Sequence, residues 1–190
     1  MKTDLELIND KDSQVRYQVA KRIDPKHLPK MMNDEDFGIR WEVARRIGDE
    51  GGAFADEHLP KMMNDKSYDV RWKVAERIGD EHLPAMMNDK NSQVRLEIVK
   101  RIDPKYLPKM MNDENPNVRF EVAKRIGSEG GAFANEHLPK MMNDEDWEVR
   151  WEVAKRIDPK FLGEMFGFDF DPIYQEGLIK VLAEREDLKK

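Results

Sequence analysis

No cysteine occurs anywhere in the 190 residues, so disulfides, thiolate metal sites and a cysteine nucleophile are all excluded. No apolar run approaches the roughly 18 residues of a membrane span. The opening MKTDLELIND has no apolar signal region, and a cytoplasmic location is expected. A basic excess is missing too: 33 Lys and Arg stand against 39 Asp and Glu, for a net charge of −6. A general affinity for nucleic acid needs a basic surface, and the whole-chain balance opposes one. The glycine pairs Gly51-Gly52 and Gly130-Gly131 lack the lysine and Ser/Thr of a phosphate-binding loop. With no nucleophile–base set, metal cluster or cofactor motif in view, neither an enzyme nor a bound cofactor or metal is expected.

What the chain does have is repetition. Charged residues make up 38% and hydrophobic residues 39%. Scattered, such a mixture would suggest disorder, but here the apolar positions are strictly periodic. LPKMMNDEDFGIRWEVARRI is one of five close copies, and LELINDKDSQVRYQVAKRI at the start is a sixth. Their first arginines, Arg16, Arg40, Arg71, Arg95, Arg119 and Arg150, are separated by steps of 24, 31, 24, 24 and 31 residues. Each longer step contains a seven-residue insertion, within EGGAFADEHLP from Glu50 or EGGAFANEHLP from Glu129, and the two strings lie 79 residues apart. A block of three units, insertion included, therefore stands duplicated, which accounts for the recurrence without invoking a function.

Each unit predicts one helix of about eleven residues. Asp12, Asp36, Ser67, Asn91, Asn115 and Asp146 are placed as N-caps, with Pro116 suited to a first helical position. Stops are expected at Gly48, Gly79 and Gly127, and at Asp24-Pro25, Asp103-Pro104 and Asp158-Pro159. At about 100° per residue, Val15, Val19, Ala20 and Ile23 share the core face. HLPKMM is too short for a second full helix, and Pro29 disfavours one, so a 3₁₀ turn presenting Leu28, Met31 and Met32 is expected. A unit this small cannot bury its own core, and neighbours must stack.

The pattern L-x-x-M-M-N-D-x-x-x-x-V-R-x-x-V-A-x-R-I resembles the leucine-rich repeat variant family, over about residues 5–160. The resemblance implies an all-α, right-handed solenoid of six short helix-plus-3₁₀-turn repeats, akin in appearance to HEAT repeats. Methionine stands where the family has leucine in the turn. The cysteine-rich iron–sulfur segment of one known member is absent, so no cluster is implied. Residues 1–160 are read as the solenoid, two related three-repeat blocks with inserted loops near 50–57 and 129–136. Residues 161–190 are read as a C-terminal cap, in which Phe166, Phe168 and Phe170 plug the end. Ile173, Tyr174, Leu178, Val181 and Leu182 share one face of its helix, and a peptide-docking tail is the rival reading.

Stacking turns each repeat position into a column. An aspartate lies six residues before each first arginine. In HEAT-like repeats that spacing resembles a ladder tying neighbouring units together. Asp34, Arg40, Asp65, Arg71, Asp89, Arg95, Asp113 and Arg119 are its members here, suited to charge-assisted bidentate pairing. The asparagines beside the aspartates, Asn9 through Asn143, are expected to bond to turn backbone. A second arginine recurs at Arg22, Arg46, Arg77, Arg101, Arg125 and Arg156. Glu42, Glu97, Glu121 and Glu152 precede four of them by four residues, which predicts helical ion pairs rather than a phosphate stripe. His27, His58, His82 and His137 share a slot with Tyr106 and Phe161. Helices pack about 10 Å apart, too far for one column to close around an ion, so the slot is read as packing.

The position after the first arginine holds Tyr17, Trp41, Trp72, Leu96, Phe120 and Trp151, about 200° from the core valine. Phe37, Tyr68 and Trp147 lie one turn earlier. Tyr17, Trp41, Trp72, Phe120 and Trp151 are thus either a contact surface or a second packing layer. In the insertions, Phe54 and Phe133 either anchor on the solenoid or project to a partner. The function expected is a non-catalytic scaffold for an unidentified protein or peptide. Single-stranded nucleic-acid binding by base stacking is the alternative, with a HEAT-like DNA-acting enzyme third.

Overall fold

The computed structural model describes residues 3–165, together with Ile179 and Ala183. The chain forms two compact units, Met1–Arg101 and Ile102–Lys190. In the first, the helices are α1 (Asp4–Leu7), α2 (Ser13–Arg22), α3 (Phe37–Glu50), α4 (Gly52–His58), α5 (Tyr68–Arg77), α6 (Leu83–Met86) and α7 (Ser92–Arg101). In the second they are α8 (Pro116–Glu129), α9 (Gly131–His137), α10 (Trp147–Ala154) and α11 (Pro159–Met165). Short 3₁₀ segments at Pro25–Met31, Leu59–Met62, Asp80–His82, Pro104–Met110 and Leu138–Met141 fill the other half of the units. No strand occurs among the described residues. The expected plug and cap residues from Phe166 to Leu182 lie outside them.

Local chemistry explains the helix starts. Asp12, Asp36, Asn91, Asn115 and Asp146 each accept a bond from the backbone N–H two residues on, satisfying a donor the helix cannot. Ser67 departs from the expectation: its side chain makes no cap bond, and its hydroxyl donates to Asp69 instead. In the fourth repeat the segment Leu83–Met86 is α-helical where a 3₁₀ turn is expected.

The helix ends hold a larger correction. α2, α5 and α7 have 10 residues, near the expected length. Where an insertion follows, α3 and α8 run for 14 residues, straight through Gly48 and Gly127. The break comes at the Gly-Gly pair, where Gly51 and Gly130 take φ 66° and Gly52 and Gly131 φ 52°, a region closed to most L side chains. The insertions are therefore helices α4 and α9, not open loops.

Core residues repeat with the units. Val19, Ala20 and Ile23 are buried, as are Ile39, Val43, Ala44 and Ile47 on α3. Leu28, Leu59 and Leu83 from the short segments close over the helices and are fully buried. Each such side chain contributes roughly 1.5–3 kcal/mol of transfer free energy. α3 packs on α2 and α5, and α5 on α7, in the first unit; α8 packs on α10 in the second. Val15, on the first repeat, is only half-buried.

Candidate functional site

The corner between turn and helix is tied by arginine. The guanidinium of Arg40 donates two parallel bonds to Asp65 of the next repeat, at 2.7 and 2.9 Å. Its remaining Nη1 donates to the carbonyls of Asp34 and Glu35 in its own turn. Arg16 with Asp34, Arg71 with Asp89, and Arg119 with Asp144 repeat the arrangement. Arg40 and Asp65 are 3% and 8% exposed at their side chains, so the pairs stand largely out of water. Arg95 is buried and donates to the Asp89 carbonyl, while the Asp113 carboxylate accepts from the Asn115 N–H. Burial pushes the Asp65 and Asp89 carboxyls up. The guanidiniums of Arg40 and Arg71, with the N–H groups of Ser67 and Asn91, more than offset this and hold both below the usual carboxylate value. The same aspartates shape the turns, since Asp34, Asp65 and Asp89 each accept a bond from the N–H two residues on.

The second arginines do something the sequence reading does not anticipate. Glu42, Glu97 and Glu121 pair with Arg45, Lys100 and Lys124, three residues on, at 2.7, 2.8 and 3.1 Å. The expected four-residue pairing is recorded between Glu152 and Arg156, where Lys155 also meets the carboxylate. Arg46 instead donates to the carbonyl of Ala20, and Arg101 to those of Ala75 and Ile78. Arg125 donates to the carbonyl of Ile102. Ala20 and Ala75 lie in the last turns of α2 and α5, where carbonyls lack an intrahelical partner. An arginine from the following repeat thus caps the preceding helix. The signal was present as an arginine at one register position, but nothing in the sequence says which way a long side chain turns.

The aromatic column is neither bare nor core. Tyr17, Trp41, Trp72, Phe120 and Trp151 are all half-buried. In the first unit Lys73, itself buried, places its ammonium 4.9 Å from the Trp41 ring centre and 4.7 Å from that of Trp72. Glu76 pairs with the same ammonium. A desolvated cation shared by two indoles contributes on the order of 2 kcal/mol or more and fixes both rings. Lys21 similarly lies over Tyr17. Greater exposure belongs to the row one turn earlier: Phe37 is 55% exposed, Tyr68 48% and Trp147 43%. On α3 and α5, which pack together, Phe37 with Trp41 and Tyr68 with Trp72 make a four-ring face with an open outer edge.

Phe54 and Phe133 are half-buried, their rings set edge-on to His58 and His137 at 4.6 Å. Those two histidines are buried, and Ala55 and Ala134 beside them are core. Among the described residues no group of three or more metal-ligating side chains converges, and no helix is long and apolar enough to cross a membrane.

A chain of stacked short helices, joined by arginine pairs and 3₁₀ turns, defines an α-helical repeat protein. No protein-family profile matches it and no curated protein does. Among solved structures, it is similar to a leucine-rich repeat variant described as having a novel repetitive structural motif. The two share 32% identity with a TM-score of 0.77, over 93% of this chain and 69% of that one. The chain belongs to the leucine-rich repeat variant family and is an all-α solenoid. The YibA protein of E. coli shares the fold at a TM-score of 0.55 and 17% identity, over 96% of this chain and 92% of that one.

Proposed function

We propose that the protein is a non-catalytic scaffold that binds a protein or peptide partner on the aromatic face of its repeat helices. The observation that carries this is the four-ring face on α3 and α5. Phe37 and Tyr68 stand exposed, one turn from Trp41 and Trp72, whose rings are fixed by Lys73. Rings that are already ordered lose little entropy on binding, and aromatic side chains dominate the energetics of protein interfaces. The chain's fold neighbours are repeat proteins, which supports the scaffold reading.

Base stacking is the second use such rings allow. The exposed Phe37 and Tyr68 favour it, and the net charge of −6 opposes it. The test is a Phe37→Ala, Tyr68→Ala double variant, with a photo-crosslinking amino acid placed at residue 37 in the parent. Both positions are exposed, so the variant is expected to keep its melting temperature within a few degrees. The crosslinker should capture a discrete polypeptide from extract of the cells that make the protein, and added parent, but not the double variant, should compete. Tight binding of a single-stranded oligonucleotide at about 150 mM salt, with a steep salt dependence and no captured polypeptide, would transfer the face to nucleic acid.

A further inference from the structure

One column makes no side-chain bond among the described residues. An asparagine precedes each ladder aspartate: Asn9, Asn33, Asn64 and Asn88 in the first unit, Asn112 and Asn143 in the second. All six are exposed, and, contrary to expectation, none bonds through its side chain to turn backbone or to anything else described. Its neighbours are fully employed. Met31 and Met32 are buried, and Asp34 holds Arg16. The aromatic column varies freely from Tyr17 to Leu96, while the amide is the same in six copies. Two positions beyond it stands a charge whose sign varies: Lys11, Glu35, Lys66 and Lys90, then Glu114 and Glu145.

Between consecutive turns of the first unit the surface is hollowed. One depression, of about 350 Å³, is lined by Asn64, Asp65, Lys66, Asn88 and Lys90, with the Arg71–Asp89 pair. Another, of about 480 Å³, is lined by Asn9, Asp10, Lys11, Arg16, Asp34 and Glu35. The ladder charges cancel, Asp89 against Arg71 and Asp65 against Arg40. Lys66 and Lys90 form no ion pair among the described residues and make the first depression positive. In the second, Asp10, Asp34 and Glu35 outnumber Lys11 and Arg16, so the lining is net negative.

We propose that this turn edge binds an extended, acidic polypeptide segment, its main chain on the asparagine amides and a carboxylate side chain in the depression between Lys66 and Lys90. An amide side chain offers both donors and an acceptor, matching the N–H and C=O of a peptide main chain. Packed helices lie about 8–10 Å apart and an extended chain rises about 3.3 Å per residue. About three residues of ligand therefore span one repeat, and an identical amide can serve each step while the variable charge reads a side chain. A nucleic-acid strand would present a phosphate to every turn, Glu35 included. The proposal rests on the reading that the protein binds polypeptide, but it uses a surface separate from the rings.

Two acetylated, amidated ten-residue peptides of serine test it, one with glutamate and one with lysine at every third position. The readout is the side-chain amide resonances of Asn33, Asn64 and Asn88. Saturable shifts with the glutamate peptide and none with the lysine peptide are expected. Asn64→Ala with Asn88→Ala, and separately Lys66→Glu with Lys90→Glu, should each weaken binding about tenfold or more, with circular dichroism unchanged. Phe37→Ala with Tyr68→Ala should bind the glutamate peptide as the parent does, which separates this edge from the aromatic face. Absence of shifts at millimolar peptide, equal shifts with both peptides, or shifts produced by oligothymidylate alone would overturn the proposal.

Discussion

The 24-residue and 31-residue steps join one repeat helix to the next in different ways. Across the shorter step the preceding helix stops early, and the arriving arginine takes its loose carbonyls, as Arg46 does at Ala20 and Arg101 at Ala75. Across the longer step α3 and α8 continue to Glu50 and Glu129. The carbonyls at that level are then taken by the helix's own N–H groups. Arg77 and Arg156 lie across a glycine instead. A Cβ on Gly48 would fall 2.7 Å from the Cβ and Cγ of Arg77, and one on Gly127 2.0 Å from the Cδ of Arg156. These glycines are sites of close approach, not helix stops. The first arginine ignores the difference: Arg71 meets Asp89 across a short step, and Arg40 meets Asp65 across a long one. The insertion therefore remodels the C-terminal corner of the unit and leaves the turn corner alone.

The largest effect should follow from breaking the part that does not change. Arg71→Ala and Arg40→Ala each leave a carboxylate, 7% and 8% exposed, without its partner. Each should cost about 3 kcal/mol or more in denaturant unfolding, and the two losses should agree within about 0.5 kcal/mol if the ladder is blind to step length. A much smaller loss at Arg40 would show that the insertion reaches this corner as well. Acid gives a second handle. Asp65 and Asp89 are depressed below the unfolded value of 3.8. Their stabilisation is thus complete above about pH 4 and is lost as pH falls through the lower folded values. The parent should hold its stability from neutral pH to about 4 and lose it below, and Arg71→Ala should show a shallower acid slope.

Most of the fold was legible because it is written several times. The core stripe, five of six N-caps and the bidentate geometry follow from residue type and register. The insertions were not legible as helices, because Gly-Gly reads as a break. It is one, but it sits one turn later than Gly48 suggests, since nothing local marks which of several glycines takes positive φ. The ion pairs of Glu42, Glu97 and Glu121 were misassigned for a related reason. A basic residue stands at both the third and fourth positions after each glutamate, and the helix carbonyls of the preceding repeat, invisible in a linear reading, compete for the second one. The exposure of the aromatic column fell between its two readings because Lys73 covers Trp41 and Trp72 from one side.

Gly48→Ala should give the next largest effect. On helix propensity alone the change would stabilise α3 by up to about 1 kcal/mol. The clash is with the Cβ of Arg77 as well as its flexible end, so α5 must shift, and overpacking of this kind costs about 1–3 kcal/mol. A net loss of stability is expected, and a gain would show that Arg77 yields to the added methyl group at less cost than the helix propensity returns.

The smallest effect is the most telling about the second arginines. Arg101 donates to two main-chain carbonyls and pairs with Asp80. Among the described residues Arg77 pairs only with Asp49 at 3.5 Å and Glu76 at 3.6 Å, and its side chain is 39% exposed. Charged hydrogen bonds to otherwise unpaired carbonyls contribute about 1.5–3 kcal/mol, whereas exposed ion pairs contribute about 0–1 kcal/mol. Arg101→Ala should therefore lower unfolding free energy by about 1.5 kcal/mol and Arg77→Ala by under about 0.5 kcal/mol. Arg101→Lys should recover little, since one ammonium cannot reach the carbonyls and Asp80 together. High salt distinguishes the two further: it should erase the Arg77 effect and leave most of the Arg101 effect in place. Equal losses at the two positions would mean that the arginine column acts through its charge alone, and the contrast between short and long steps would then have no energetic content.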